Sequence, residues 1–341
     1  MYVPHVGWLG MPDRDLVADY LREGWFEASE QAFLWRYLRP GDVMLDCGAH
    51  LGLFSVLAGR VMANQGRIIS LEPQPVIAAA LRDNLARNDV TCATVIEAAA
   101  YSTSGPLEFQ VHDSSRAAFS SIYAQDETGH TITVEGCSLD DLLEAEGIDR
   151  VDFVKLDVEG AEIDALGGCS RSVEAGRLPV VAIEFSEKVL NSANRTTLDL
   201  AKAWQDRGYS FFRLNPADLT LSPAEFDGPI WYENLYALLD VEAVRQRLDN
   251  TPPESARVAH DVAERGRLSK RLYDAHEERS GQVRDLQQQL DDARHWQGVY
   301  RQRVTNILDH KLYRIASKLR LVQTPEWAKG VTREAPRRGE P

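Results

Sequence analysis

The sequence lacks the features that would assign it to a disulfide-rich, zinc-binding or membrane class. Its four cysteines stand far apart and form no CxxC pair. They therefore fit reduced cytosolic thiols better than disulfides or a zinc site. No apolar run approaches the roughly 18 residues that a membrane-spanning helix needs. Residues 1–10 lack the charged start and apolar core of a signal peptide. These absences predict a cytoplasmic protein.

Positive charge is also scarce over most of the chain. The net charge of −14 argues against general nucleic-acid binding. Residues 296–341 carry a net charge of +6, so the preceding part carries −20. Two electrostatically distinct regions share the chain.

Strand and helix patterns alternate from residue 41 to residue 250. Strands are predicted over 43–47, 67–71, 92–96, 107–111, 131–134, 151–156, 180–185, 209–214 and 233–239. Helices are predicted over 53–62, 76–88, 139–146, 161–167 and 197–207. Such alternation indicates an α/β domain with a largely parallel sheet covered on both faces. Ligands then bind at the carboxyl ends of the strands, near the point where the strand order reverses. Residues 1–40 form a separate N-terminal helical segment in this prediction, with helices over 13–21 and 30–38.

The character of the chain changes after residue 250. Residues 254–322 contain no proline, and apolar positions alternate by three and four over about four heptads at Val283, Leu286, Leu290, Ala293, Gln297, Tyr300, Val304 and Ile307. This pattern favours a self-associating coiled coil over 251–322, although a single solvated helix is the alternative. Residues 311–321 interleave basic and apolar side chains, which is typical either of a helix on an anionic membrane surface or of more coiled coil. Residues 323–341 are predicted to be a disordered basic tail.

A glycine-rich turn between the first strand and its helix is the first chemical motif. It contains Asp46, Gly48 and Gly52, and it lacks the GxGxxG spacing that cradles a pyrophosphate. A tight turn without a pyrophosphate site suits a ligand with a small zwitterion at its centre, such as S-adenosylmethionine. Tight packing of strand against helix is the alternative explanation of the glycines.

Two further motifs lie at strand ends. Glu72 and Pro73 follow the second strand, where a carboxylate can accept hydrogen bonds from both ribose hydroxyls of a nucleoside. Residues 155–162, Lys-Leu-Asp-Val-Glu-Gly-Ala-Glu, leave the fourth strand, and alternation sends Lys155 and Asp157 to the same side. Crowded carboxylates beside a lysine suit general-base work or a divalent cation. A helix N-terminus with stabilising acids explains Glu162 but not the whole set.

Together these motifs resemble the FkbM family of S-adenosylmethionine-dependent O-methyltransferases. The matching stretches are DCGAHLGLFS (46–55), SLEP (70–73), SLDDLL (138–143), KLDVEGAE (155–162), VVAIEF (180–185) and ENLYALL (233–239). His50 and Ser55 stand where the family usually has Asn and Thr. The resemblance implies a class I methyltransferase fold, Rossmann-like with a seven-stranded mostly parallel sheet, here followed by the coiled coil. It also implies a hydroxyl acceptor, commonly on a sugar or a natural product.

The resemblance implies that Asp46, Gly48, Gly52 and Glu72 line the cofactor and that Asp157 lies near the transferred methyl group. The full set of cofactor candidates is Asp46, Gly48, Ala49, His50, Gly52, Phe54, Ser55, Glu72, Pro73 and Glu97.

Methyl transfer to an alcohol needs a base that removes the hydroxyl proton. The catalytic candidates are Asp157, Glu159, Glu184 and Lys155. Glu184 lies within an apolar strand, where an unpaired carboxylate is costly, so it is expected to have a partner or a chemical role.

The acceptor candidates are His112, with a surface role as the alternative, and Asn234, with a structural hydrogen bond as the alternative. A divalent metal on Asp157, Glu159 and Glu184 is considered but not favoured, because no histidine cluster accompanies them. No metal site is therefore predicted.

These observations predict an S-adenosylmethionine-dependent O-methyltransferase that acts on a saccharide or glycoconjugate of the cell-envelope class. The alternatives are an O-methyltransferase of a polyketide or other small natural product, and a non-catalytic coiled-coil scaffold that retains the fold. The expected partners are the acceptor and further copies of the chain, joined by the coiled coil. The basic C-terminal helix is a candidate for peripheral contact with the inner face of the cytoplasmic membrane, and no nucleic-acid partner is expected.

Overall fold

The computed structural model describes residues 1–11, 16–24, 26–112, 120–123 and 129–309. Residues 1–271 form one compact unit, and a second unit begins at Leu272. The helices are α1 (Leu16–Glu23), α2 (Ala28–Tyr37), α3 (Leu53–Val61), α4 (Pro75–Arg87), α5 (Leu139–Ala145), α6 (Glu162–Gly168), α7 (Ser170–Glu174), α8 (Glu187–Ser192), α9 (Thr197–Gln205), α10 (Val241–Asp249) and α11 (Pro253–Asp309). The strands are β1 (Tyr2–Val3), β2 (Gly7–Trp8), β3 (Val43–Cys47), β4 (Arg67–Leu71), β5 (Ala93–Ile96), β6 (Ala99–Ala100), β7 (Gly105–Val111), β8 (His130–Cys137), β9 (Phe153–Leu156), β10 (Val180–Phe185), β11 (Ser210–Leu214), β12 (Leu221–Pro223) and β13 (Glu233–Leu238).

The central sheet has the order β12-β11-β13-β10-β9-β3-β4-β5. Strands β5, β4, β3, β9 and β10 run parallel, whereas β13, β11 and β12 join by antiparallel pairing. This confirms the expected α/β fold with a mostly parallel sheet. The expected number of seven strands is wrong by one, because the chain after β11 turns back and the three-residue strand β12 pairs with its edge. Strand β3 lies between β4 and β9, so the order reverses beside it and a crevice opens at the carboxyl ends.

Alternation along the central strands builds a core on each face of the sheet. Met44 and Phe153 pack on one face, while their neighbours Leu45 and Val154 pack on the other. Successive side chains of a strand point to opposite faces, so an unbroken apolar strand is covered on both sides. The bounds predicted for β3, β4 and β10 are confirmed to the residue.

A second sheet of three strands, in the order β6-β8-β7, flanks the central one. Its hairpin contains the strands predicted over 107–111 and 131–134, although both are longer than predicted. The strands β1, β2, β6 and β12 and the helices α7, α8 and α10 are not predicted from the sequence. Most of these helices span fewer than two turns, and the strands have only two or three residues. Elements this short show no hydrophobic periodicity that the sequence could reveal.

Helix α2 packs against the central sheet. Its Phe33 ring lies 4.4 Å from the ring of Tyr236 on β13 and 5.8 Å from that of Phe153 on β9, measured between centroids. The helix observed over Ala28–Tyr37 agrees with the prediction over 30–38 within two residues at its start. Residues of the N-terminal segment therefore contribute to the same core as the sheet.

Helix α11 is continuous over 57 residues. On it, Leu286 is 64% exposed and Leu290 is 50% exposed. The coiled coil predicted there stays a prediction. The basic stretch 311–321 and the tail 323–341 lie outside the described residues. Within the ranges that the structure does describe, none of the helices combines the length and the apolar character that crossing a membrane requires.

Candidate functional site

The chain turns sharply between β3 and α3, and glycines make the turn possible. Gly48 and Gly52 have φ of 83° and 85°, a region that side chains with a Cβ rarely adopt. A Cβ at Gly48 would overlap the carbonyl oxygen of Asp157, and one at Gly52 would overlap a methyl group of Leu81. Close packing thus explains both glycines, which was the alternative to a ligand-binding role for the turn.

The turn does not offer its first N–H groups to a phosphate. The N–H groups of Gly48 and Ala49 both donate to the carbonyl of Leu71, at 3.0 and 2.9 Å. A pyrophosphate cradle needs such groups to point at the ligand. The geometry therefore agrees with the missing GxGxxG pattern.

His50 adopts a left-handed conformation, with φ of 48°. Asn and His are among the few residues with a side chain that are enriched in this region. A histidine can therefore occupy this position of the turn. Its N–H donates to the Glu72 carboxylate at 3.0 Å.

Glu72 at the end of β4 is fixed by backbone donors. Besides His50, the N–H of Gln74 donates to the carboxylate at 3.0 Å. Burial raises the pKa of Glu72 to about 7, although these two hydrogen bonds oppose the shift. The carboxylate lines a cavity and is ready to accept hydrogen bonds from a ligand.

Asp46 at the end of β3 is 1% exposed and is held by a side chain from α3. The Ser55 hydroxyl donates to it at 2.5 Å, and the Ser55 and Ser70 hydroxyls lie 2.7 Å apart. Burial raises the pKa of Asp46. Asp46 lines the cavity, while Ser55 lies behind it and orients it.

Lys155 and Asp157 form an ion pair where β9 ends. The ammonium group lies 2.5 Å from the Asp157 carboxylate and 4.8 Å from the centre of the Phe54 ring. Burial alone would lower the pKa of Lys155, but the charges of Asp157 and Glu27 outweigh it and raise that pKa. Lys155 is therefore a fixed positive charge in the cavity wall.

Three carboxylates converge beside this pair. One oxygen from each of Asp157, Glu159 and Glu184 lies within 4.8 Å of the others. Burial, and next the charge of Asp157, raise the pKa values of Glu159 and Glu184 well above the usual range. Like charges at this separation cannot all persist without protons or a cation. The arrangement can accept a proton, and its donor set is of the type that holds a divalent cation.

Asp46, Glu72, Lys155 and the three converging carboxylates line one cavity of about 690 Å³. This volume is within the size range of small-molecule sites. Of the residues predicted from the sequence, the cavity brings together Asp46, Gly48, Ala49, His50, Phe54, Glu72, Pro73, Lys155, Asp157, Glu159, Glu184 and Asn234.

Four predicted residues are not among the described residues that line it. Gly52 packs against Leu81, and Ser55 donates to Asp46, so both support the cavity wall without lining it. Glu97 forms an exposed ion pair with Arg82 at 2.5 Å. The backbone N–H of His112 donates to the Ser120 hydroxyl at 3.1 Å, and it is Ser120 that lines the cavity.

One wall of the cavity is not predicted from the sequence. Residues of the N-terminal segment line it, namely Leu9, Met11, Val17, Tyr20, Leu21, Phe26, Glu27 and Glu30. Tyr20 and Phe26 stack with ring centroids 6.2 Å apart. Glu27 lies 3.5 Å from Lys155 and accepts a hydrogen bond from Asn234 at 3.0 Å. Acids near the start of a helix usually serve the helix itself, so the pattern alone gives no functional signal.

Part of the sequence matches the model of a known protein family. Residues 46–211, slightly less than half of the chain, match the family model described as the methyltransferase FkbM domain. None of the curated proteins matches the sequence.

Solved structures of methyltransferases are similar to this fold. One is the precorrin-6y C5,15-methyltransferase from Geobacter metallireducens, at 18% identity over 70% of this chain and 100% of that chain, with a TM-score of 0.38. Another is the magnesium protoporphyrin IX methyltransferase from Synechocystis with bound S-adenosylmethionine, at 11% identity over 68% and 87%, with a TM-score of 0.37. A third is an S-adenosylmethionine-dependent O-methyltransferase from Thermotoga maritima, at 16% identity over 62% and 64%, with a TM-score of 0.34. At such scores these likenesses carry no argument about the reaction of this chain.

Proposed function

We propose that this protein is an S-adenosylmethionine-dependent O-methyltransferase, because residues 46–211 match the family model of the methyltransferase FkbM domain. The proposed acceptor is a hydroxyl of a saccharide or glycoconjugate of the cell-envelope class. One observation carries the proposal: a nucleoside-type carboxylate, Glu72, and the acidic cluster of Asp157, Glu159 and Glu184 open into the same cavity.

The residues around the β3 turn fit S-adenosylmethionine. Glu72, fixed by two backbone N–H groups, can accept hydrogen bonds from the ribose hydroxyls. The negative charge of Asp46 suits the positively charged amino group of the cofactor. The turn between them has no pyrophosphate cradle, which favours this ligand over a dinucleotide. When bound, S-adenosylmethionine supplies a methyl group attached to a positively charged sulfur.

The acidic cluster is the proposed base. On transfer the acceptor oxygen would bond to the methyl carbon while the sulfur–carbon bond breaks and leaves a neutral thioether, and a carboxylate would accept the hydroxyl proton. Glu159 and Glu184 are the candidates for this role, because the raised pKa makes either of them, in its ionised form, a stronger base than an ordinary carboxylate. Asp157 is paired with Lys155, so it is better suited to orienting the acceptor. In this proposal the proton passes to whichever of Glu159 and Glu184 is ionised.

A small natural product is the second candidate acceptor. The N-terminal wall is largely apolar, with Leu9, Met11, Leu21 and Phe26, and it suits an apolar scaffold that bears a hydroxyl. The intact cluster of ionisable groups argues against the third alternative, a scaffold without catalysis. A divalent cation held by Asp157, Glu159 and Glu184 is the alternative to a proton shared by these carboxylates.

Calorimetry and a transfer screen test the proposal. Titration of the full chain with S-adenosylmethionine should give saturable binding. Incubation with labelled cofactor should then transfer methyl groups to cell-envelope glycan fractions, with mass spectrometry as the readout. A parallel panel of polyketides and phenols tests the second candidate. Absence of cofactor binding would overturn all enzymatic proposals, and binding without any transfer would favour the scaffold.

We also propose that the chain self-associates through α11, because Leu286 and Leu290 are exposed at coiled-coil spacing on it. The full chain should form an oligomer by light scattering. The double substitution Leu286→Glu and Leu290→Glu should reduce its mass to that of one chain, while Gln288→Glu, off the apolar seam, should not. A wild-type chain that is already monomeric would contradict the proposal.

A further inference from the structure

We propose that Glu27, which lies outside the matched methyltransferase domain, is a positioning residue for Asn234 and for the Lys155–Asp157 pair. The N-terminal segment would then be a working part of the acceptor site. This inference rests on the proposed function.

The contacts of Glu27 join three elements of the fold. Its carboxylate accepts a hydrogen bond from the Asn234 Nδ2 on β13 at 3.0 Å and lies 3.5 Å from the Lys155 Nζ on β9. Its side chain is only 8% exposed. The amide orientation of Asn234 follows from this contact, since an amide oxygen facing the carboxylate would be repelled. Asn234 stands opposite Glu184 in the pairing of β13 with β10, so its amide is fixed beside the proposed base.

The packing of α2 holds Glu27 against these two strands. Phe33, six residues further along, contacts Phe153 on β9 and Tyr236 on β13. Phe153 precedes Lys155 by two residues, and Tyr236 follows Asn234 by two. The helix is thus fixed to the same strands whose side chains Glu27 contacts. A carboxylate held in this way has a defined position relative to both partners.

The backbone of Glu27 is in an unfavourable conformation. It has φ of 44° just before α2, and its side chain does not cap the helix. Non-glycine residues in this region are uncommon and require support from their surroundings. That support is present, because Gln31 donates to the carbonyl of Glu27 through its backbone N–H and to the carbonyl of Phe26 through its side chain. The side chain is therefore directed into the cavity instead of serving the helix.

Ionisation of Glu27 is disfavoured in the folded state. Burial raises its pKa to about 7, and the ammonium group of Lys155 only partly offsets this. A buried carboxylate that weakens the fold and faces a cavity is typical of a functional group. Lys155 therefore lies between two carboxylates, in direct contact with Asp157 at 2.5 Å and with Glu27 3.5 Å away on its other side.

Steady-state kinetics with Glu27→Gln and Glu27→Ala test the proposal, on whichever acceptor the transfer screen identifies. Glutamine keeps an oxygen for Asn234 but loses the charge that faces Lys155, whereas alanine loses both contacts. We expect kcat to fall about tenfold for Glu27→Gln and about 100-fold for Glu27→Ala. The KM for S-adenosylmethionine should stay within about twofold, because Glu72 and Asp46 are untouched. Glu27→Asp should restore part of kcat.

The matched control is Glu187→Gln. Glu187 is 7% exposed and accepts hydrogen bonds from Thr197 at 2.7 and 2.9 Å, and it is not among the described residues that line the cavity. Its substitution should lower the melting temperature without lowering kcat. Glu27→Gln should do the opposite, with an equal or higher melting temperature and a lower kcat.

The effects of Glu27→Ala and Asn234→Ala on kcat should also overlap, so that the double variant is no slower than the slower single variant. An unchanged kcat in Glu27→Gln, or a lower melting temperature with kcat intact, would overturn the positioning role alone. A wild-type chain that binds no S-adenosylmethionine or transfers no methyl group would instead overturn the proposed function.

Discussion

The cavity has two ends that are built in different ways. At the end of β4, Glu72 is held by the backbone N–H groups of His50 and Gln74. At the end of β9, Lys155 is held by the side chains of Asp157 and Glu27, which belong to different elements. We call the first the β4 end and the second the β9 end.

This difference has a consequence for how each end responds to substitution. Backbone donors are supplied by the turn itself, so the β4 end depends on local conformation. The β9 end depends on charges that balance one another between Glu27 just before α2, the end of β9 and Glu184 on β10. Removing one charge there changes the protonation and position of the others, whereas removing a ligand contact at the β4 end changes mainly affinity.

The largest effect is expected at the β9 end. Glu184→Gln removes a proposed base while it preserves shape, so kcat should fall about 10²- to 10⁴-fold. The calorimetric affinity for S-adenosylmethionine should not change by more than about twofold, since the β4 end is intact. Glu159→Gln is the companion variant, and the one with the larger loss identifies the base. Turnover at the wild-type rate in both variants and in Asp157→Ala would rule out the catalytic assignment.

A smaller effect, on affinity, is expected at the β4 end. Glu72→Gln replaces a charged acceptor of two hydroxyl hydrogen bonds by a neutral one, which should weaken cofactor binding about 10- to 100-fold. Once the cofactor is saturating, kcat should recover to nearly that of the wild type. Calorimetry gives the affinity and initial rates give the recovery. A low kcat at saturation would show that the two ends are not separable.

The free energy of unfolding of the ligand-free protein should fall as the pH rises from about 5 to about 7. The pKa of Glu72 is raised to about 7 by burial, and that of Glu162 likewise, whereas an unfolded Glu titrates near 4.3. The folded state therefore binds more protons across this interval, and it loses stability relative to the unfolded state as they dissociate. Glu72 contributes on the order of 1–3 kcal/mol.

Urea unfolding at several pH values measures this slope, and Glu72→Gln should make it shallower. If the two proteins showed the same slope, the buried carboxylate at the β4 end would not titrate as stated.

A minor effect is expected from Ser55→Ala. The hydroxyl donates to Asp46, so its loss leaves one carboxylate oxygen without that donor. The cost is about 1 kcal/mol, or about a fivefold loss of cofactor affinity, with kcat nearly unchanged. Ser55→Thr, which keeps the hydroxyl, serves as the control. An effect as large as that of Glu72→Gln would indicate that Ser55 contacts the ligand itself.

The smallest effect is expected from Glu97→Gln. Its ion pair with Arg82 is exposed, and exposed pairs contribute between about 0 and 1 kcal/mol. Affinity, kcat and stability should all remain close to the wild-type values. A large loss of cofactor affinity would restore Glu97 as a cofactor residue and would mean that the ligand extends beyond the cavity lining.

The β4 end was predictable because its information is local. Asp46 and Glu72 each close an apolar strand of readable length, and parallel strands bring their carboxyl ends together. The bounds of β3, β4 and β10 could be predicted for the same reason, since buried strands are continuous apolar runs. His50 was not explained by pattern alone, because only the backbone reveals its positive φ.

The β9 end was predictable only in part. Lys155, Asp157 and Glu159 stand in one motif, and Glu184 was marked by its apolar neighbours. Glu27 carried no such mark, because an acid at the start of a helix has an ordinary structural explanation. His112 and Glu97 stay predictions, because a polar loop and a strand end give the same sequence pattern whether or not they face a cavity, and neither is among the described residues that line it.

By itself, the sequence determined the order of strands and helices, the match of residues 46–211 to a family model, and the strand ends that carry ionisable groups. Hydrophobic periodicity and short motifs encode these features locally. Only the tertiary structure decided which of those groups share a cavity, and that α2 adds Glu27 to it. That decision depends on contacts between residues more than a hundred positions apart, such as Glu27 with Lys155 and with Asn234, and no local pattern specifies them.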